Sequence, residues 1–98
     1  MKNLNPAQTR FLRAQAHHLN PVVMIGDAGL SAAVLKEIGT ALKAHDLIKI
    51  KVMNDERSAR DEMLKTICET LKAASVQHIG KTLLVYKTAP IPKMVLPR

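Results

Sequence analysis

Five apolar residues without helical spacing, Pro21-Val22-Val23-Met24-Ile25, run into Gly26-Asp27-Ala28-Gly29 and then into a helix-like stretch that opens near Ser31. This junction constrains the fold more than any other segment, because a strand that turns within four residues into a helix belongs to a layered α/β arrangement. The glycines permit the turn. Lacking Cβ, they reach positive φ and bring bare N–H groups close to a ligand, while the following helix N-terminus adds partial positive charge that favours phosphate oxygens. Glycine pairs also serve turns that merely redirect the chain, so these four residues alone leave both uses open.

The remaining segments give the element order. Asn5-Pro6-Ala7-Gln8 is a helix start, with Asn5 as N-cap, proline at the first helical position and Gln8 as the capping-box partner. The helix runs to about His18. Phe11, Leu12, Ala16 and Leu19 mark its apolar side, and Arg10, Arg13 and His17, spaced by three and four, share another face. The run from Val22 to Ile25 is consistent with a central strand covered on both sides, which periodicity alone does not separate from buried helix. A second helix follows from an N-cap at Ser31, with Val34, Ile38, Ala41 and Leu42 at helical spacing. Leu47 to Met53 alternates as a half-buried strand, Ile48, Ile50 and Val52 on one face and Lys49 and Lys51 on the other.

A third helix is expected from an N-cap at Ser58, with Met63, Leu64, Ile67, Cys68 and Leu71 inward and Asp61 paired to Lys65. Val76–Ile79 and Thr82–Lys87 then form a hairpin through Gly80-Lys81, glycine first as in a type II′ turn. From Thr88 the chain carries Pro90, Pro92 and Pro97 among apolar residues, which suits an extended tail over 88–98. The order αβαβαββ implies a compact α/β domain over 1–98 with a mixed four-stranded sheet and packed helices.

Charge narrows the function. Fifteen Lys and Arg against eight Asp and Glu give a net +7, and Asp27 is the only acid in the first 36 residues. Such a surface attracts polyanions, nucleic-acid backbone above all, with binding that weakens as salt rises. The aromatics are only Phe11 and Tyr86, which argues against reading bases on an aromatic platform. One cysteine excludes an intramolecular disulfide, and the four histidines with it show no metal-ligand spacing. Neither a signal-peptide core nor a membrane-length apolar run occurs, so a cytoplasmic protein without membrane contact or cofactor is expected.

Several phrases, in order along the chain, resemble the CRM domain, named for chloroplast RNA splicing and ribosome maturation, and especially its small bacterial members of the YhbY type. They are His17-His18-Leu19-Asn20-Pro21-Val22-Val23, Gly29-Leu30-Ser31, Leu47-Ile48-Lys49-Ile50-Lys51, Ile79-Gly80-Lys81-Thr82-Leu83 and Leu96-Pro97-Arg98. The resemblance implies a fold similar to the C-terminal domain of bacterial translation initiation factor three, and a glycine loop acting like the GXXG loop of KH domains. By position, Gly26 and Gly29 are the loop glycines, Asp27 and Ala28 its variable pair, and Lys49, Lys51 and Lys81 fall in basic phrases. Asp27 departs from what a phosphate would favour. Either it turns away, or this loop binds RNA less strongly than its relatives.

The expected function is therefore non-catalytic binding of RNA, with ribosomal RNA in large-subunit precursors as the implied partner and a monomer as the implied state. Gly26, Asp27, Ala28, Gly29, Arg10, Arg13, His17, Lys49, Lys51 and Lys81 are the candidate contacts. The alternative is an adaptor that docks a ribosomal protein or assembly factor through the apolar tail from Ile91 to Leu96. No catalytic motif supports an enzyme: the glycine loop lacks the Gly-Lys-Ser/Thr that completes a P-loop.

Overall fold

The computed structural model describes residues 4–88 and 96–97. Its elements follow the expected order: α1 (Pro6–Ala16), β1 (Pro21–Ile25), α2 (Ala32–His45), β2 (Leu47–Val52), α3 (Arg57–Leu71), β3 (Ala74–Ile79) and β4 (Thr82–Tyr86). The strands form one mixed sheet in the order β1-β2-β4-β3, with β1 parallel to β2 and the other neighbours antiparallel.

Alternation along the strands decides the layers. Val23, Ile25, Ile48, Ile50, Val52, Leu83 and Val85 point to one face, where Ile38 and Leu42 of α2 and Leu64 and Ile67 of α3 cover them. Leu47, Val76, Leu84 and Tyr86 point to the other, under Leu12 and Ala16 of α1. The sheet is thus sandwiched between two helices and one, and α1 is too short to cover its whole face.

Local chemistry sets the helix starts. Asn5 Oδ1 accepts from the Gln8 amide at 2.8 Å while Gln8 Oε1 accepts from the Asn5 amide at 3.0 Å, a complete capping box. Ser31 Oγ caps α2 by accepting from Val34 N–H. The expected cap at Ser58 is corrected: α3 begins at Arg57 with Glu56 as its N-cap, which makes no side-chain capping bond. Asn54 Oδ1 accepts the Glu56 amide instead, and this local turn starts the helix two residues early.

A second correction concerns β1. It lies at the sheet edge, not the centre, and only Val23 and Ile25 are buried, whereas Val22 and Met24 are 47% and 60% exposed. A continuous apolar run needs helices on both faces to be fully buried, and α1 packs instead over β2 and β3. The extended-tail expectation falls mostly outside the described residues. At its end, Leu96 packs against the α1 cluster and the Pro97 carbonyl accepts from Gln8 Nε2 at 3.0 Å.

Candidate nucleic-acid interface

The glycine loop leaves β1 at the end of the sheet where β2 also finishes, a neighbourhood fixed by the Met53 amide donating to the Ile25 carbonyl at 2.9 Å. The Gly80-Lys81 turn joins the same end, because the Lys81 carbonyl accepts from Val52 N–H at 2.7 Å. Three connections therefore crowd one rim: 26–29, 53–56 and 80–81.

Within the glycine loop the two glycines differ. Gly29 has φ +77° and its N–H donates to the Gly26 carbonyl at 3.0 Å, closing a tight turn, whereas Gly26 has no left-handed φ. The amide of Gly29 is thus already committed, which corrects the expectation that both glycines offer bare N–H groups. Gly26, Asp27 and Ala28 are exposed, so any ligand meets the loop at its first three residues.

The basic residues fall into two groups. Arg10, Arg13 and His17 lie exposed on α1, a helix with no acidic residue, while Leu12 and Ala16 on its other side enter the core. Lys49 and Lys51 project from β2 on the α1 side of the sheet. Lys49 lines a depression with Gln15, His18 and Leu19 at the end of α1, and Lys51 is registered beside Met24, two residues before Gly26. Lys49 and Lys51 thus lie on the sheet face that α1 packs against, Lys49 by the C-terminal end of the helix and Lys51 towards the glycine loop, while Arg10, Arg13 and His17 occupy the outer side of α1.

Lys81 belongs to a different environment. Its Nζ lies 2.5 Å from Asp55 Oδ1 in an exposed ion pair, and the neighbouring ammonium holds the Asp55 carboxyl below its ordinary value of 3.8. With Asp27, Asp55 and Glu56 all exposed at this rim, the loop end of the molecule is less cationic than α1. An exposed pair of this kind contributes little, so a polyanion can displace Asp55 at small cost.

Sequence reasoning missed the scaffold that holds the rim. Arg60, 7% exposed, donates from Nη1 to the Asn54 carbonyl at 2.7 Å and from Nε to His78 Nε2 at 3.2 Å. Arg57 reaches the His78 carbonyl at 3.5 Å. Asp61, expected to pair with Lys65, lies 2.5 Å from His78 Nδ1 instead. A histidine on the following strand, 17 residues along the chain, is invisible to helical spacing rules.

The other chemistry-bearing residues have packing roles. Tyr86 is buried and Phe11 half-buried in the α1 cluster, so neither aromatic is displayed for base stacking. Cys68 sits half-buried, and burial raises its thiol pKa, with a smaller push from Glu69. Among the described residues no group of histidine, cysteine and carboxylate side chains could hold a metal ion, and no helix is long and apolar enough to cross a membrane.

Comparison with known proteins agrees with the fold. The model of the CRS1 / YhbY (CRM) domain matches residues 4–87. An RNA-binding protein of Haemophilus influenzae is 45% identical over 98 residues, covering 100% of this chain and 99% of the relative. The Bacillus subtilis protein YqeI, named as a candidate RNA-binding protein, is 33% identical over 92 residues, covering 94% of this chain and 96% of its own. The solution structure of SAV1595 from Staphylococcus aureus, described as a candidate RNA-binding protein, superposes with a TM-score of 0.83 at 29% identity, covering 96% of this chain and 99% of that one.

Proposed function

This chain belongs to the CRS1 / YhbY (CRM) domain family, and from that premise we propose that it is a non-catalytic RNA-binding protein that grips ribosomal RNA in precursors of the large subunit. One observation carries the reading: Arg10, Arg13 and His17 stand exposed on the outer side of a helix without acidic residues, and Lys49 and Lys51 project from the sheet face beneath it, Lys51 beside Met24 just before the glycine loop. Separated cations suit a phosphate backbone, which presents charge at regular intervals and demands no aromatic platform. The relatives named for RNA binding support the ligand class. Ribosome assembly rests on the family resemblance.

The adaptor reading is weaker, because Leu96, the last apolar residue of the supposed docking tail, already packs against α1 of its own chain. The test is binding of the full chain to large-subunit ribosomal RNA across a salt series, with Arg10→Gln/Arg13→Gln beside it. Loss of both guanidiniums should weaken binding and flatten the slope of log K against log salt by about 1.8, at roughly 0.9 per phosphate of paired RNA. An unchanged slope in a folded variant would remove α1 from the interface. Equal affinity for duplex DNA would replace ribosomal RNA by general polyanion binding.

A further inference from the structure

Beyond the α1 cluster, the sheet face that carries Lys49 and Lys51 stays open at its rim. Strand register places one residue from each strand in a single row there: Met24 beside Lys51, Lys51 beside Thr82, and Thr82 beside Ile79. The row spans roughly 14 Å, three strand spacings. Its two ends are Met24, 60% exposed, and Ile79, 57% exposed, the two most exposed large apolar side chains among the described residues. The glycine loop begins two residues after Met24, and the Gly80-Lys81 turn begins immediately after Ile79.

Two features define what fits such a row. Lys49 and Lys51, two residues apart on β2, leave the strand on the same side about 7 Å apart, comparable to the step between successive phosphates. The flanking thioether and branched alkyl group offer apolar contact to flat, polarisable surfaces, and a methionine sulfur in particular favours aromatic faces. A paired RNA helix hides its base faces by stacking and presents phosphates and 2′-hydroxyls. It would use the lysines and leave Met24 and Ile79 unmatched. A single strand supplies both charge and uncovered bases.

Resting on the RNA-binding reading above, we infer that the open rim of this face is a seat for unpaired nucleotides, whose phosphates lie on Lys49 and Lys51 and whose bases lie against Met24 and Ile79. This face therefore selects single-stranded segments of the RNA, while α1 contributes to paired and unpaired RNA alike. Charge complementarity with the two lysines favours RNA over an uncharged protein partner.

The experiment compares wild type, Met24→Ser/Ile79→Thr and Lys49→Gln/Lys51→Gln on two probes, a short oligouridylate and an RNA duplex of equal length, by fluorescence anisotropy over a salt series. Both apolar sites are solvent-facing, and circular dichroism with thermal melting checks each fold. The apolar pair should weaken oligouridylate binding about tenfold with an unchanged salt slope and leave duplex binding intact. The lysine pair should flatten the single-strand slope by about 1.4, at roughly 0.7 per phosphate. If a folded Met24→Ser/Ile79→Thr variant binds oligouridylate like wild type, or loses both probes equally, the base seat is wrong while RNA binding stands. If wild type binds neither probe, the RNA reading itself fails, and the seat with it.

Discussion

Arg60 on α3 and His78 on β3 form the joint that organises the rim of the sheet: the buried guanidinium donates from Nε to the imidazole Nε2 at 3.2 Å. His78 Nδ1 faces Asp61 Oδ1 at 2.5 Å, so the imidazole sits between a carboxylate and the guanidinium. Nη1 of the same arginine holds the Asn54 carbonyl at 2.7 Å, and His78 Nε2 also lies 3.0 Å from the Gly80 carbonyl. One side chain thereby spans the 53–56 connection and the strand leading to the Gly80-Lys81 turn.

Truncating that arginine should be costly. Arg60→Ala leaves the Asn54 carbonyl and the imidazole without a charged donor, and hydrogen bonds to charged groups contribute about 1.5–3 kcal/mol. A loss of about 2–3 kcal/mol in urea denaturation is expected, with faster amide exchange concentrated in 54–56 and 80–81. A loss within about 0.5 kcal/mol, the range of ordinary surface changes, would show that the joint is dispensable.

Asp55 should act as a brake on RNA binding. Removing its charge by Asp55→Asn frees Lys81, so affinity for RNA should rise a few-fold and the salt slope should steepen by about 0.7–0.9 if Lys81 then takes a phosphate. The same pair has a pH signature. Because Lys81 lowers the folded pKa of Asp55 below 3.8, the pairing is present above that value and is lost as pH falls through the lowered one. Nuclear magnetic resonance titration should return the Asp55 midpoint toward 3.8 in Lys81→Met.

The loop glycines should separate by stability. Gly29→Ala forces a side chain into φ +77° and is expected to cost about 1–2 kcal/mol, whereas Gly26→Ala, without that φ and with no atom within 4 Å of its new Cβ, should change stability by less than about 0.5 kcal/mol. Thermal melts of the two variants measure this. Equal losses would mean that the turn relies on both positions.

Lys72 offers a stabilising change. It ends α3 at φ 55°, ψ 44°, in the left-handed region where glycine is the usual helix terminator, and its side chain is exposed. Lys72→Gly should add about 0.5–1 kcal/mol and raise the melting temperature by several degrees. A lower melting temperature would reveal a contact of the lysine stem that outweighs its backbone strain.

The elements were legible because their signals are local. Asn5 and Ser31 cap helices by reaching three residues along the chain, Gly80 sets a two-residue hairpin turn, and the alternation of Leu47–Val52 assigns Ile50 and Lys51 to opposite faces before any partner is known. The basic face of α1 was readable for the same reason: Arg10, Arg13 and His17 share a face by helical period alone. That Lys49 sits by the end of α1 was not, since it depends on where the helix lands.

Strand order, long-range pairing and exposure belonged to the tertiary structure. An apolar strand such as β1 looks the same whether it ends up central or at an edge, and only the failure of α1 to reach it exposes Met24. Likewise, Asp61 has Lys65 one helical turn away, yet it meets His78 because β3 packs beside α3. The chain by itself specified which residues could be helix, strand and surface, since those preferences act within a few residues. Which surfaces meet depends on how all the layers close over one core, a condition that no single segment carries.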